Sequence, residues 1–431
     1  MNRNLSNSIT TWERVNSLHK GIGHLTQPLS TADRTATGWN LLREDVSLPA
    51  AVLYDEALQH NLQWMQQFIE AYGLKLAPHG KTSMTPKLFA RQLQHGAWGI
   101  TVATAHQALV AFEHGVDRVL MANQLIGKQN MAIVSRMLQT PGFEFFCLVD
   151  SAEQVEQVGT FFRRSGQCLN VLIELGVKGG RAGIRDEAQL ASLLDTVSDW
   201  EDAIALCGIE VYEGILGRED LIDEFLQYAV SITRKLAAEQ RFARAPVLLT
   251  GAGSQWYDVV ASVFAAAGFD NSVEIVLRPG CYLTHDVGVY REAQVNILER
   301  NPIARQMQSV LRPALRIWAY VQSIPETERA IVALGKRDAA FDAGFPAPAL
   351  HFRPGDTSPS HASPKPTSPH WTVTKMMDQH AYLRISEGDD LRVGDMLGFD
   401  ISHPCLTFDK WRSLLLVNAQ YDVIDVLPTY F

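Results

Sequence analysis

The chain has 431 residues, 46% of them apolar and 20% charged, with a formal net charge of −9 from 38 basic and 47 acidic side chains. That length favours two domains over one and allows a sizeable core, while the acidic balance leaves no excess of Lys and Arg to neutralise phosphates, so no nucleic-acid partner is expected. No apolar run reaches the length of a bilayer, no apolar signal core lies in residues 1–23, and the five cysteines at 147, 168, 207, 281 and 405 are an odd, scattered set, so the expectation is a cytoplasmic protein with no membrane contact and no disulfide framework.

Residues 1–48 are weakly patterned, with one helical stretch expected over Trp12–Leu18. From residue 49 a rhythm sets in, with short apolar or β-branched runs alternating with longer segments of helical period. A lead-in strand at Ala50–Tyr54 is followed by eight candidate strands near 74–79, 99–104, 118–122, 143–149, 169–175, 207–212, 246–250 and 273–277. Helix-like stretches lie between them, among them Thr85–Gln94, Ala105–His114, Asn130–Gln139, Ala152–Arg164 and Arg218–Gln240. Eight such units match a (β/α)8 TIM barrel over 49–286, although the pattern alone leaves a doubly wound open sheet as an alternative. The rhythm breaks after Asp286. Strands expected at Leu315–Tyr320, Ala330–Leu334, Asp395–Phe399 and Ser413–Val417 make 287–431 a separate, mostly β domain. Within it, 344–370 carries seven prolines and reads as a long surface loop.

Barrel enzymes gather functional groups at the C-terminal ends of their strands. Lys81 follows the first strand, where its amine can hold an aldehyde cofactor, pyridoxal 5'-phosphate (PLP), as a Schiff base; a solvated loop lysine is the plainer reading of position alone. His79 lies two residues earlier and points to the same side if the strand persists. Gly251-Ala252-Gly253-Ser254 follows strand seven, and Arg278-Pro279-Gly280-Cys281-Tyr282 follows strand eight, the usual place for a phosphate in a barrel. Arg181, among glycines after strand five, can meet a cofactor or substrate anion, and Tyr212 at the end of strand six can face the cofactor ring. In the β domain, His403 and Cys405 are two apart, so extended backbone would put both on one side, as zinc ligands require; a buried cysteine beside a chance histidine remains the simpler alternative.

Taken together and in order, these segments resemble the fold-type III PLP enzymes that include D-serine dehydratase, D-threonine aldolase and the D-3-hydroxyaspartate enzymes. The resemblance runs from about Pro49 to Val426 and rests on Pro78-His79-Gly80-Lys81-Thr82, Gly99–Ala105, Gly180-Arg181-Ala182-Gly183, Tyr212-Glu213-Gly214, Arg278-Pro279-Gly280-Cys281-Tyr282 and His403-Pro404-Cys405. It implies an alanine-racemase-like barrel with Lys81 carrying PLP, and a β domain to which residues 1–48 belong and in which His403 and Cys405 bind a divalent metal, zinc or manganese. It also implies a head-to-tail homodimer acting on a small D-amino acid. Catalytic roles then fall to Lys81 and Arg181, and cofactor contacts to His79, Tyr212, Gly251, Gly253, Ser254, Gly280 and Tyr282. Family dehydratases tend to carry His-x-Cys and aldolases His-x-Asp, so Cys405 points to dehydration of D-serine or a related D-3-hydroxy amino acid; Ile215, where aldolases have a histidine base, points the same way. Ala77, Ser83 and His106-Gln107 depart from the family pattern, as does the proline-rich insertion. A D-3-hydroxy amino acid aldolase, an amino-acid racemase and a non-catalytic PLP carrier are the alternatives.

Overall fold

In the computed structural model, which describes residues 14–30, 33–356 and 363–431, the eight apolar runs form parallel strands. They span Lys75–Leu76, Ile100–Val102, Arg118–Gln124, Glu144–Val149, Leu169–Leu175, Ile204–Val211, Val247–Gly251 and Val273–Leu277, numbered one to eight below. Strands two to eight pair in sequence, and strand eight also pairs with strand one. A bridge between His79 and Thr101, with the Thr101 N–H donated to the Pro78 carbonyl at 2.9 Å, joins strand one to strand two and closes the ring. An open sheet would have two unpaired edges; closure removes them. Ala77, Leu120, Phe146, Leu148, Leu172, Cys207, Leu248 and Val276 form the cluster that fills the ring, as expected for a packed barrel rather than a pore.

The helices start where the sequence tells them to. Thr104, Ser151 and Asp186 each accept a hydrogen bond from the backbone N–H three residues on, at Gln107, Gln154 and Gln189. The three glutamines reach back and accept from the N–H groups of Ala103, Asp150 and Arg185. These reciprocal caps contribute about 1 kcal/mol each and fix the exits of strands two, four and five, where functional loops begin.

The second sheet runs, in pairing order, through Lys365–Pro366, Ala347–Phe352, Met396–Asp400, Leu315–Glu326, Ala50–Tyr54, Ser413–Val417 and Val423–Pro428. The long strand Leu315–Glu326 bends at register shifts and pairs onward with Arg329–Val332, which pairs with Ala381–Arg384 and through it with Thr372–Met376. The lead-in strand Ala50–Tyr54 thus belongs to the β domain, not to the barrel side of residue 49: it lies between Leu315–Glu326 and Ser413–Val417. Its continuous run of small and branched residues suits a central strand buried on both faces. The 344–370 segment is likewise no simple loop. Ala347–Phe352 pairs with Met396–Asp400; Pro348 falls at a register shift and Pro366 on the outermost strand, where a missing N–H is tolerated. Two helices, Val289–Arg300 and Pro302–Gln306, follow the barrel and precede the first expected strand of the β domain. Val15, Ile22, Leu41 and Val46 share a buried cluster with Val52, Trp318 and Leu415 of the β sheet. The helix expected over Trp12–Leu18 falls partly outside the described residues, and Val15 bridges Leu29 instead. Among the described residues no helix is long and apolar enough to cross a membrane.

Candidate active site

The apolar strand Lys75–Leu76 ends in a tight turn, Gly80–Thr82, that lifts Lys81 to the rim of the barrel, where its side chain is exposed. Beneath it His79 is half-buried, and its inaccessible Nδ1 has no partner. Burial first, then the charges of Lys81 and Arg278, holds the His79 imidazole neutral, far below its ordinary value. The strand-eight loop lies directly against this turn: a Cβ on Gly280 would stand 2.6 Å from the His79 carbonyl oxygen and 3.1 Å from Thr82 Oγ1. Only glycine permits that approach.

Two backbone donors converge nearby. The N–H groups of Gly280 and Cys281 both point to Ser254 Oγ, each at 3.1 Å. Gly253 packs so closely on Tyr212 that a Cβ would fall 3.2 Å from the ring. Between them Ala252 takes a left-handed φ of 79°, a cost of about 1–2 kcal/mol for a residue with a Cβ. The Ala252 and Gly253 N–H groups donate to the buried carboxylate of Glu213, at 3.2 and 2.7 Å. Closely packed glycines with converging N–H groups, beside an exposed lysine and an unpartnered imidazole nitrogen, fit a phosphate-bearing aldehyde such as PLP.

Tyr212 and Arg181 meet, with the guanidinium 4.8 Å from the ring centroid. Arg181 also reaches to 3.9 Å from the Glu174 carboxylate. Gly251 ends strand seven and accepts the Arg278 N–H at 3.1 Å, which couples the two phosphate loops. Tyr282 follows the strand-eight loop, three residues after Pro279. It is buried, its hydroxyl accepts from Gln92 at 3.2 Å, and it closes a cavity of about 10 Å³ with Ser254, Tyr257 and His285, room for a single water.

The β domain delivers its His-x-Cys pair onto this rim. Cys405 Sγ lies 3.4 Å from Thr82 Oγ1, next in sequence to Lys81, and 3.6 Å from Cys281 Sγ. His403 Nδ1 hydrogen-bonds Asp342 at 2.7 Å, leaving the other ring nitrogen for the site. Hydrogen bonding from Cys281, supported by His403 and Thr82, holds the Cys405 thiol low despite its burial, and the same contact pushes Cys281 up. The Cys405 contact, then Asp342, raises His403 to about 9. Thiolate, imidazole and an orienting carboxylate are a donor set that fits a divalent metal, although among the described residues no three His, Cys, Asp or Glu side chains form a ready-made cage.

Sequence reasoning missed the acids of the rim. Glu174 and Glu210 sit in otherwise apolar strands, Ile173-Glu174-Leu175 and Ile209-Glu210-Val211, and both are buried. Burial, then the charge of Glu210, pushes Glu174 up to about 7, and Gln124 donates to it at 2.6 Å. Glu210 forms a buried ion pair with Arg278, whose Nη2 also donates to the Val211 carbonyl at 3.0 Å. Arg278 is therefore turned into the barrel, not out to a phosphate. A single acid interrupting an apolar strand near its C-terminal end was the signal available.

Comparison with known proteins gives the same two-part picture. The family model described as the alanine racemase N-terminal domain matches residues 55–255, and that described as a putative serine dehydratase domain matches residues 314–417. A D-threonine aldolase from an Arthrobacter species is 24% identical over 86% of this chain and 89% of that protein. A D-threo-3-hydroxyaspartate dehydratase from a Delftia species is 29% identical over 56% of this chain and 61% of that protein. Among solved structures, D-threonine aldolase from Filomicrobium marinum superposes with a TM-score of 0.74 at 21% identity, covering 91% of this chain and 97% of that one. A metal-free form of D-threo-3-hydroxyaspartate dehydratase bearing a cysteine-to-alanine substitution superposes with a TM-score of 0.68 at 22% identity, over 91% of this chain and 99% of that one.

Proposed function

We propose that the chain is a fold-type III PLP- and metal-dependent lyase that removes water from D-serine or a related D-3-hydroxy amino acid, giving a keto acid and ammonia; its matches to the alanine racemase N-terminal and putative serine dehydratase domains support this. What supports the reading is the approach of Cys405 to Thr82, 3.4 Å apart, which sets the metal-type donors of one domain beside the lysine of the other. When bound, PLP supplies an electron sink for charge developing at the substrate Cα, and a divalent metal supplies Lewis acidity toward the β-hydroxyl.

The residues divide that work. Lys81 Nζ would hold the cofactor aldehyde and would be the base placed to take the Cα proton. The N–H groups of Gly280 and Cys281 and the hydroxyl of Ser254 bind the phosphate. Tyr212 flanks the ring, with Arg181 across it positioned for the substrate carboxylate. His403 and Cys405 hold the metal at the β-hydroxyl side, with Asp342 fixing the imidazole. The protein works as a homodimer, which sedimentation of the PLP-loaded chain tests.

A second reading has its own support: two relatives that span most of this chain are a D-threonine aldolase and a 3-hydroxy-D-aspartate aldolase, which favours cleavage of the Cα–Cβ bond. Cys405 and the exposed apolar Ile215 favour dehydration instead. Incubation with D-serine, D-threonine and the 3-hydroxyaspartate stereoisomers, with keto acid, ammonia and glycine all measured, decides. Ammonia and keto acid lost on chelation, with the visible absorbance of bound PLP retained, is the expected result. Glycine and an aldehyde from D-threonine would replace dehydration by aldol cleavage. No product from any of them, with PLP bound, would sink the lyase.

A further inference from the structure

We propose that Cys281, from the barrel loop after strand eight, is the third protein ligand of the metal held by His403 and Cys405, and that the resulting two-thiolate, one-imidazole set selects zinc. This rests on the metal-dependent reading above and deepens it.

The geometry begins with the sulfurs. Cys281 Sγ and Cys405 Sγ are 3.6 Å apart, although they come from different domains. Two thiolates bound to one tetrahedral zinc at about 2.3 Å stand about 3.8 Å from each other. The spacing needed is therefore already present without an ion. Thr82 Oγ1 lies 3.4 Å from Cys405 and 3.8 Å from Cys281, so one hydroxyl touches both sulfurs on the Lys81 side.

The backbones that carry these groups are fixed. The Cys281 N–H is tied to Ser254 Oγ, and the residue is buried, at 4% exposure. His403 is oriented by Asp342 through Nδ1, which makes Nε2 the metal-facing nitrogen. His403 already contacts Cys405; among the described residues the three side chains do not surround one point, so entry of the ion has to adjust their rotamers.

A chemical consequence follows for the reaction. Two Cys and one His fill three tetrahedral positions and leave a fourth for water or a substrate oxygen, the pattern of a catalytic zinc site. Soft thiolate pairs disfavour manganese and magnesium, which prefer oxygen. With one open position, the ion can take the β-hydroxyl of a substrate but not a chelating pair of substrate oxygens without losing a protein ligand. The same loop that binds the cofactor phosphate would then bind the metal, linking the two groups through the backbone N–H and the side chain of Cys281.

The test uses the PLP-loaded protein stripped of metal and given one equivalent of zinc. X-ray absorption at the zinc edge should report two sulfurs at about 2.3 Å; one sulfur overturns the proposal, and this needs no variant. Cobalt(II) titration gives a second reading. Cys281→Ser should lose about half of the near-ultraviolet thiolate-to-cobalt absorbance and weaken binding by at least about tenfold, the smaller of the losses typical for mere supporting partners. The absorbance of bound PLP checks that the variant is folded. If Cys281→Ser leaves absorbance and affinity unchanged while Cys405→Ser does not, this inference fails alone. If Cys405→Ser is also without effect, the metal site itself fails.

Discussion

The floor and the mouth of the barrel handle charge in opposite ways. At the floor, where the strands begin, Glu144 lies between Arg118 and Arg244, and Trp98 Nε1 donates to Glu274 at 2.9 Å. The guanidinium of Arg118 lies 4.5 Å from the Trp98 ring and that of Arg244 5.3 Å from Phe146. Burial alone would raise Glu144, but hydrogen bonds from Arg244 and Arg118 outweigh it and hold the carboxyl low. At the mouth, Glu174, Glu210 and Glu213 are all pushed up, in each case chiefly by burial. His79 Nδ1, Arg278 Nε and Glu210 Oε2 are left without partners. The floor spends its charges on the fold. The mouth keeps polar atoms unsatisfied in a dry setting, a cost accepted where a ligand completes the network.

The largest expected effect is functional and leaves stability alone. Lys81→Ala should abolish the visible absorbance of bound PLP and all turnover, while the cofactor-free protein unfolds within about 0.5 kcal/mol of wild type, because the side chain is exposed. Persistence of the absorbance would refute the lysine assignment.

Arg278→Met tests the mouth from below. It leaves Glu210 buried without its ion partner and should cost about 3–5 kcal/mol in urea unfolding of the cofactor-free protein. The double substitution with Glu210→Gln should recover most of that loss. Equal losses in single and double variants would show that the pair is not what holds the strand ends.

The two ends should also respond to pH with opposite sign. Glu174 binds its proton more tightly folded than unfolded, so its contribution is fully present below about pH 4.5 and is lost as pH rises through about 7. The loss is on the order of 1–3 kcal/mol, and Glu174→Gln should flatten this part of the stability curve in the cofactor-free protein. Glu144, held low, contributes stability above its ordinary range that is lost as pH falls. The smallest effect is expected at the floor: Glu144→Gln should cost about 1 kcal/mol, because the network is partly solvated, and leave PLP absorbance and turnover unchanged. A change in turnover would mean the floor is coupled to the site.

The barrel was legible because period and punctuation agree. Apolar runs such as Phe145–Val149 and Val171–Ile173 read as strands, and the pattern of Thr, Ser or Asp followed three residues later by Gln marks helix starts at Thr104, Ser151 and Asp186. Lys81, Arg181, Tyr212 and Ser254 could be named because short motifs place them at strand exits. The partnership of Ala50–Tyr54 could not, since its apolar run fits a central strand of either sheet. The strand Ala347–Phe352 was hidden by prolines that the outer part of a sheet tolerates. Tyr282 stands where its motif puts it, yet its hydroxyl is claimed by Gln92.

Local sequence fixed what is local: hydrophobic period, helix caps, and a lysine in a tight turn after a strand, because these depend on neighbours within a few residues. Which distant groups share an environment was decided only by the packing of the two domains. Cys281 and Cys405, 124 positions apart, meet at 3.6 Å because the β domain closes over the barrel rim. Nothing in either segment encodes that distance, and the protonation of the rim acids follows from the same burial, which is a property of the assembled fold and not of any stretch of chain.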